Sequence, residues 1–135
     1  MDIATNLTIE GASVTNCTLR AIFLVNSTVT IDGADIVDCG AAVMSFNGSN
    51  ATIWNTSMSW CGDGFISGPA SMLFGGGMFG HGLNVFVGPF SYFGYNWNTA
   101  ATLSMVGNCY NGKVLPKPTK FGGPGTVAYL PGECQ

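Results

Sequence analysis

Residues 29–50 read VTIDGADIVDCGAAVMSFNGSN, and the same pattern precedes them at residues 7–28 and follows them at residues 51–72. Placed under one another at a spacing of 22, the three segments agree without gaps. A recurrence at a fixed period of this length indicates a repeat architecture in which each unit stacks on the next. The matching columns are Thr8, Thr30 and Thr52; Ile9, Ile31 and Ile53; Val14, Ile36 and Met58; Cys17, Cys39 and Cys61; and Ile22, Met44 and Ile66.

Each unit has the composition of short strands separated by tight turns. It opens with an apolar residue, a Thr and an Ile, so the residues on either side of Thr8 share one side of a strand and Thr8 takes the other. Further strands centre near Val14 and near residues 22–24, and turn-forming pairs such as Asp32-Gly33 lie between strands. Three strands and three turns make one triangular coil, and stacked coils place equivalent residues roughly 4.8 Å apart.

The sequence therefore predicts an all-β fold, a right-handed parallel β-helix (a solenoid) of about four to five coils. Residues 1–112 are assigned to the β-helix, with the three clear repeats followed by irregular coils over residues 73–112, which are rich in Gly and aromatic residues. Residues 113–135 contain four prolines and are expected to form an extended Pro- and Gly-rich arm.

The irregular part is assigned coil by coil. Residues 71–86 are placed as a fourth coil with a spacing near 20, and residues 101–103 followed by Cys109 as the opening of a fifth. Residues 89–98 lie between these two coils and are expected to form an aromatic loop.

The repeats resemble those of the right-handed parallel β-helix found in pectate-lyase-like folds and in many surface proteins. Residues 39–43, CGAAV, and 61–65, CGDGF, also resemble repeats of polymorphic surface proteins from bacteria and algae. The resemblance covers residues 6–72. It implies a fold and no particular reaction, since solenoids of this kind carry many functions.

Composition excludes several classes of protein. Hydrophobic residues make up 47% of the chain, charged residues 8%, and the net charge is −3. A disordered chain would be more polar and more charged, and a nucleic-acid-binding domain would be basic. No uninterrupted apolar run of about 18 residues predicts a transmembrane helix. The first residues lack the basic and apolar regions of a signal peptide, so a secreted protein of this sequence is expected to have lost that segment.

The triplet Asn-x-Ser/Thr is more frequent than the roughly two occurrences expected by chance in a chain of this composition. We expect N-linked glycans at several of these sites, which predicts an extracellular or cell-surface protein. The open alternative is that β-helices favour Asn at turns and Thr on strands. The candidate glycosylation sites are Asn6, Asn16, Asn26, Asn47, Asn50 and Asn55.

The five cysteines fall into two groups. Cys17, Cys39 and Cys61 are expected to form a ladder of buried thiols, although adjacent coils would place one pair near the upper distance limit for a strained disulfide. A Cys109–Cys134 disulfide is expected to pin the C-terminal arm in an oxidising compartment. No Cys-x-x-Cys pair and a single His are present, so neither a zinc site nor a cofactor is predicted.

The charged residues do not form a recognisable catalytic set. Asp32, Asp35 and Asp38 share one repeat, but none of them recurs as a carboxylate column. Arg20 is the only Arg, and His81 has no evident orienting carboxylate. We therefore expect no enzymatic activity.

The sequence favours a structural extracellular glycoprotein that self-assembles, as a homo-oligomer or fibre, through its coil ends and its C-terminal arm. A filament or surface layer would be the product. The first alternative is a carbohydrate-binding or carbohydrate-active module, and the second is an ice-binding protein that uses the Thr8, Thr30 and Thr52 ladder. The candidate contact residues for a partner or a sugar are Trp54, Trp60, Phe90, Tyr92, Tyr95 and Trp97.

Overall fold

The computed structural model describes residues 2–3, 6–75, 84–111 and 120–129. Within these ranges the chain is all-β, contains no helix, and winds into a parallel β-solenoid of about five turns, which confirms the predicted fold class. The strands are β1 (Asp2–Ile3), β2 (Leu7–Glu10), β3 (Ser13–Val25), β4 (Thr28–Asp32), β5 (Asp35–Phe46), β6 (Asn50–Trp54), β7 (Ser57–Ser59), β8 (Asp63–Ser67), β9 (Met72–Phe74), β10 (Val85–Val87), β11 (Tyr92–Asn96), β12 (Leu103–Ser104), β13 (Cys109–Tyr110), β14 (Phe121–Gly122) and β15 (Val127–Ala128).

The strands stack into three parallel faces. Face 1 contains β2, β4, β6, β9, β12 and β15 in that order. Face 2 contains the first parts of β3 and β5, followed by β7, β10 and β13, and face 3 contains β1, the second parts of β3 and β5, and then β8, β11 and β14. Strands β3 and β5 therefore continue around the corner between faces 2 and 3.

Hydrogen-bond register confirms four of the five sequence columns. On face 1, Thr8 pairs with Thr30 and Thr30 with Thr52, and the Ile column behaves in the same way. Side chains of the Ile column point inward and are buried, whereas those of the Thr column point outward, as alternation along a strand requires.

The fifth column is confirmed only in part: Met44 pairs with Ile66 as predicted, but Ile22 does not belong to that column. A β-bulge between Cys17 and Arg20 adds one residue to the first coil at its corner, so Ile22 pairs with Val43 and the partner of Met44 is Phe23. A shift of one residue exchanges the two sides of a strand. Ile22 is accordingly buried, while Met44 lies on the outer side.

The fourth coil is longer than expected. Phe74 pairs with Ser104, thirty positions further on, so the predicted spacing near 20 is wrong. The segment expected to be an aromatic loop contains β11, which pairs with β8. The interior of the fourth coil is filled by aromatic rings instead of aliphatic side chains. Phe86 packs there against the rings of Phe65, Phe90, Phe93 and Tyr110 at centroid distances of 5.1–5.5 Å.

The solenoid extends into the range predicted as an arm. The predicted opening of a fifth coil is confirmed, since β12 and β13 lie there. Beyond it, β14 pairs with β11 and β15 pairs with β12, so residues 121–128 contribute two strands to the solenoid. The other residues predicted to form the arm, 113–119 and 130–135, lie outside the described residues.

Buried polar side chains bind the backbone at the corners. Ser49 Oγ donates to the carbonyl of Phe46 at 2.6 Å and accepts from the amide of Ser27 at 3.3 Å. At another corner Asn84 Oδ1 accepts from the amide of Thr56 at 3.0 Å. These contacts satisfy backbone groups that the turns remove from the strand ladders.

Candidate functional surfaces

The first coil leaves its core side open. Leu7 is 43% exposed, although Val29, at the same position one coil further on, is 1% exposed and Ala51 and Leu73 are fully buried. Among the described strands, β2 pairs only with β4. Leu7 is therefore exposed because no described strand covers it on that side, and one more coil stacked on β2 would bury it.

Apolar groups also remain accessible on the last coil. Phe121, Val127 and Tyr129 are half-buried, and they line a shallow pocket with the glycines between them. The rings of Phe121 and Tyr129 stack at 4.3 Å with an interplanar angle of 7°. Both ends of the described solenoid thus present apolar side chains.

The three aligned cysteines form the expected ladder of free thiols. Cys39 and Cys61 are buried and Cys17 is half-buried, because on face 2 the described strands cover the first coil on one side only. Each thiol lies 3.5–3.8 Å from the carbonyl oxygen two residues before it and donates to that oxygen. Burial raises the pKa of Cys39 to about 12 and also raises the pKa of Cys61.

Cys109 is buried and is not one of the free thiols. Cys134 lies outside the described residues. The disulfide between them therefore stays a prediction.

All six asparagines of the glycosylation triplets are exposed. Four of them, Asn16, Asn26, Asn47 and Asn55, have φ between 47° and 55°, the left-handed region that Asn tolerates better than most residues. Turn geometry thus gives these four a structural role. Asn6 and Asn50 have no such role, and Asn50 lies on the outer side of face 1.

The predicted contact aromatics separate into three places. Tyr92, Tyr95 and Trp97 form one outward cluster, with 4.9 Å between the centroids of successive rings. Trp54 lies on the outer side of face 1, and Trp60 is exposed at the corner after face 2. These three places do not form one continuous site.

Phe90 does not belong to a contact surface. It is 1% exposed and packs against Phe86 and Phe93 at 5.5 and 5.3 Å. Its ring fills the enlarged fourth coil, so the expectation that it contacts a partner is corrected: Phe90 is a core residue.

The outer side of face 3 is apolar, unlike the Thr-, Ser- and Asp-bearing outer sides of the first coils on faces 1 and 2. One outward column runs from Phe23 through Met44 and Ile66 to Tyr95. Phe46 lies beside this column, 6.3 Å from Phe23 between ring centroids, and Trp97 extends it at 48% exposure. We call the following residues the apolar strip: Phe23, Met44, Phe46, Ile66, Tyr95 and Trp97.

Two opposite charges lie in a neighbouring column of face 3. Arg20 pairs with Ala41, and Ala41 pairs with Asp63, so the two charged residues are separated by one coil. The Arg20 guanidinium lies 4.2 Å from the centre of the Phe23 ring. Asp63 Oδ1 is buried and accepts no hydrogen bond from a described residue. Desolvation raises the pKa of this carboxyl, and a hydrogen bond from the Tyr92 backbone amide opposes that rise.

The aspartates of the second coil form hydrogen bonds between coils or occupy a corner of the solenoid. Asp32 accepts from the Asn55 amide at 3.0 Å, and Asp35 accepts from the Ser57 hydroxyl at 2.6 Å. Asp38 has a φ of 56° at the corner before face 3. His81 lies outside the described residues, and the part of the chain that is described contains no group of three His, Cys, Asp or Glu side chains placed to hold a metal ion.

Sequence reasoning missed the apolar strip. Its signal was present, because residues 21–25, AIFLV, form a continuous apolar run where a half-buried strand would alternate. The undetected bulge concealed it, since the gapless alignment placed Met44 in one column with Ile22, which is buried.

No protein-family model, curated protein or solved structure matches the chain. Among the described residues, no helix has the length and apolar character that a membrane span requires.

Proposed function

We propose that this chain is a non-enzymatic structural subunit of an extracellular or cell-surface glycoprotein, and that its solenoids stack end to end. The observation that carries the proposal is the exposure of Leu7 where each following coil buries the equivalent side chain. An open solenoid end is both an unpaired strand edge and an uncovered core. A second copy stacked on β2 would bury Leu7 and pair with the open edge of that strand.

The chemistry of the two ends supports a head-to-tail contact. Leu7 at one end and Phe121 and Tyr129 at the other are apolar, so their burial is favourable at roughly 25 cal/mol per Å². All described strand pairs are parallel, and head-to-tail stacking continues that pattern across the boundary. A contact of this kind does not close on itself and generates a filament.

Replacing Leu7 with Lys tests the end contact. A buried ammonium without a partner is strongly unfavourable, so this variant should abolish elongated particles in sedimentation velocity and negative-stain images. Thr8→Lys is the matched control, because Thr8 is the next residue and points away from the core; it should assemble as the wild type does. Wild-type protein that stays a monodisperse 14.0 kDa particle at high concentration would refute the proposal.

The glycoprotein part of the proposal has its own test. In protein from a secreting eukaryotic host, intact mass before and after glycosidase treatment should show N-linked glycans. Asn50→Gln should remove one glycan without changing stability, since Asn50 is exposed and does not have positive φ. A mass equal to that of the bare polypeptide would exclude glycosylation in that host.

Carbohydrate binding is the second candidate function, and the outward cluster of Tyr92, Tyr95 and Trp97 favours it. Exposed rings present flat apolar surfaces, and the phenol groups add hydrogen-bonding capacity. Trp97→Ala should then remove binding on a glycan array, while Trp60→Ala, at a separate corner, should leave it unchanged. Equal binding by both variants and the wild type would exclude the cluster.

A further inference from the structure

We propose that two copies of this chain also associate side by side, face 3 against face 3, about a twofold axis that runs parallel to the strands beside Ala41 and Met44. This contact is distinct from end-to-end stacking and does not depend on it. The sheets would lie about 10 Å apart, the usual separation of facing sheets.

The apolar strip provides the contact surface for the second copy. Solvated sheet faces normally alternate apolar and polar residues, with the polar residues outward. On face 3 the outward positions of three successive coils are Phe23, Met44 and Ile66, each half-buried within the chain. The strip is a continuous apolar area beside the Thr-, Ser- and Asp-bearing outer sides of the first coils, and such an area is typical of an interaction site.

Charge complementarity on face 3 identifies the occupant as a second copy of this chain. A twofold axis parallel to the strands at the level of Ala41 reverses the order of the coils, so Arg20 of one copy faces Asp63 of the other, twice. Within one chain these residues are two strand spacings apart, roughly 9.6 Å. The second copy would thus place the positive charge of an arginine beside the half-buried Asp63 carboxylate.

The remaining positions along this axis are compatible with close packing. The same rotation places Phe23 opposite Ile66, and Met44 opposite the Met44 of the second copy. Ala41, which is small, leaves room for the Arg20 and Asp63 side chains on either side of it. Flexible Met side chains at a self-facing position can adapt to each other.

The area of the face 3 contact determines the expected affinity between the two copies. Four stacked strands of five or six residues cover about 400 Å² per copy. A standard interface buries about 800 Å² per partner, so this contact is a weak and reversible one. We expect dissociation constants on the order of tens of micromolar, within the range of analytical ultracentrifugation.

Charge reversal tests the geometry. The measurement uses unglycosylated full-length protein carrying Leu7→Lys, in which end stacking is suppressed, so failure of one contact is not mistaken for failure of the other. Arg20→Glu and Asp63→Arg should each weaken the dimer by about tenfold or more, because each places like charges opposite one another. The double variant should restore the wild-type dissociation constant to within about threefold.

A second measurement covers the case in which Asp63→Arg disturbs folding. Met44→Cys should be linked to a second copy by a short bis-maleimide, because this position faces itself across the axis. Thr30→Cys, outward on face 1 of the same coil, is the matched control and should give no linked dimer.

Three results would overturn the proposal. One is a monomer at all concentrations in the Leu7→Lys background. Another is a dimer that the double charge reversal weakens as much as either single change does. The third is linkage of Thr30→Cys as efficient as that of Met44→Cys. If the protein is strictly monomeric and binds glycans, the first of these results applies and face 3 is assigned to carbohydrate.

Discussion

At the scale of single residues, the solenoid depends on positions that tolerate only one kind of side chain. The corner after Cys39 is the clearest case, because a Cβ on Gly40 would overlap the carbonyl oxygens of Thr18 and Leu19 in the coil below. These are backbone atoms, which cannot move aside as a flexible side chain can. Gly40 is therefore required by the close approach of successive coils.

We expect Gly40→Ala to lower the free energy of unfolding by at least about 2 kcal/mol, since the coils must separate locally to admit the methyl group. Urea denaturation followed by circular dichroism measures the change. Ser13→Ala, at an exposed position, should alter stability by less than about 0.5 kcal/mol. Equal stability of the two variants would show that the corner relaxes freely.

The thiol ladder gives a prediction on pH. Folding raises the pKa of Cys39 from its ordinary value of 9.0 to about 12, so the unfolded chain loses this proton at a lower pH than the folded chain does. The stabilisation is complete below pH 9 and is lost as the pH rises towards 12. Thermal unfolding between pH 8 and 11 should show a shallower loss of stability for Cys39→Ala than for the wild type. Curves of stability against pH with the same slope for the two proteins would contradict the raised pKa of Cys39.

At the scale of elements, the strands are held in register by buried polar groups at the turns as well as by ladders. Asn84 is fully buried; its amide donates to the carbonyls of Ile53 and Gly75 at 2.9 and 3.2 Å, and its Oδ1 accepts from the Thr56 amide. One side chain thus satisfies three backbone groups between β6 and β10.

Asn84→Ala should cost at least about 2 kcal/mol of stability, because the Thr56 amide and the Ile53 carbonyl would lose a buried partner, whereas the Gly75 carbonyl keeps the Asn108 amide. Asn50→Ala, at an exposed position on β6, is the matched control in unglycosylated protein and should change stability by less than about 0.5 kcal/mol. Equilibrium unfolding in urea checks both. A loss below 1 kcal/mol for Asn84→Ala would indicate that water replaces the amide.

At the scale of the whole molecule, stability should vary along the solenoid axis, since each coil contacts only its neighbours. The central coils are covered on both sides, whereas β2 is covered only by β4 among the described strands. Apolar burial follows the same order, from Leu7 at the open end to the fully buried Ile31 and Ile53.

Hydrogen exchange should therefore be slowest in β4, β5 and β6 and faster in β2 and β15 of the dissociated protein. In end-stacked assemblies the amides of β2 should become protected, because a neighbouring coil supplies their partners. Mass spectrometry of peptides from Leu7→Lys and wild-type protein separates the two states. Uniform protection along the axis in the dissociated protein would contradict the nearest-neighbour view.

The sequence alone determined the solenoid and four of its columns, because the alternation of inward and outward side chains along each strand can be read from the local sequence. An inward Ile and an outward Thr recur every 22 residues, and identical units stack in the only register that keeps the Ile side chains buried.

Only the tertiary structure decided the features that depend on distant pairing. The bulge before Arg20 places Ile22 and Met44 on opposite sides of face 3, and it becomes visible only once β3 is paired with β5. The length of the fourth coil was equally hidden, because rings from Phe65, Phe86 and Phe93 fill its interior and no short period marks it. The column that Arg20 and Asp63 share was hidden for the same reason. Register sets the separation of these two residues, and register is a property of paired strands and not of the local sequence.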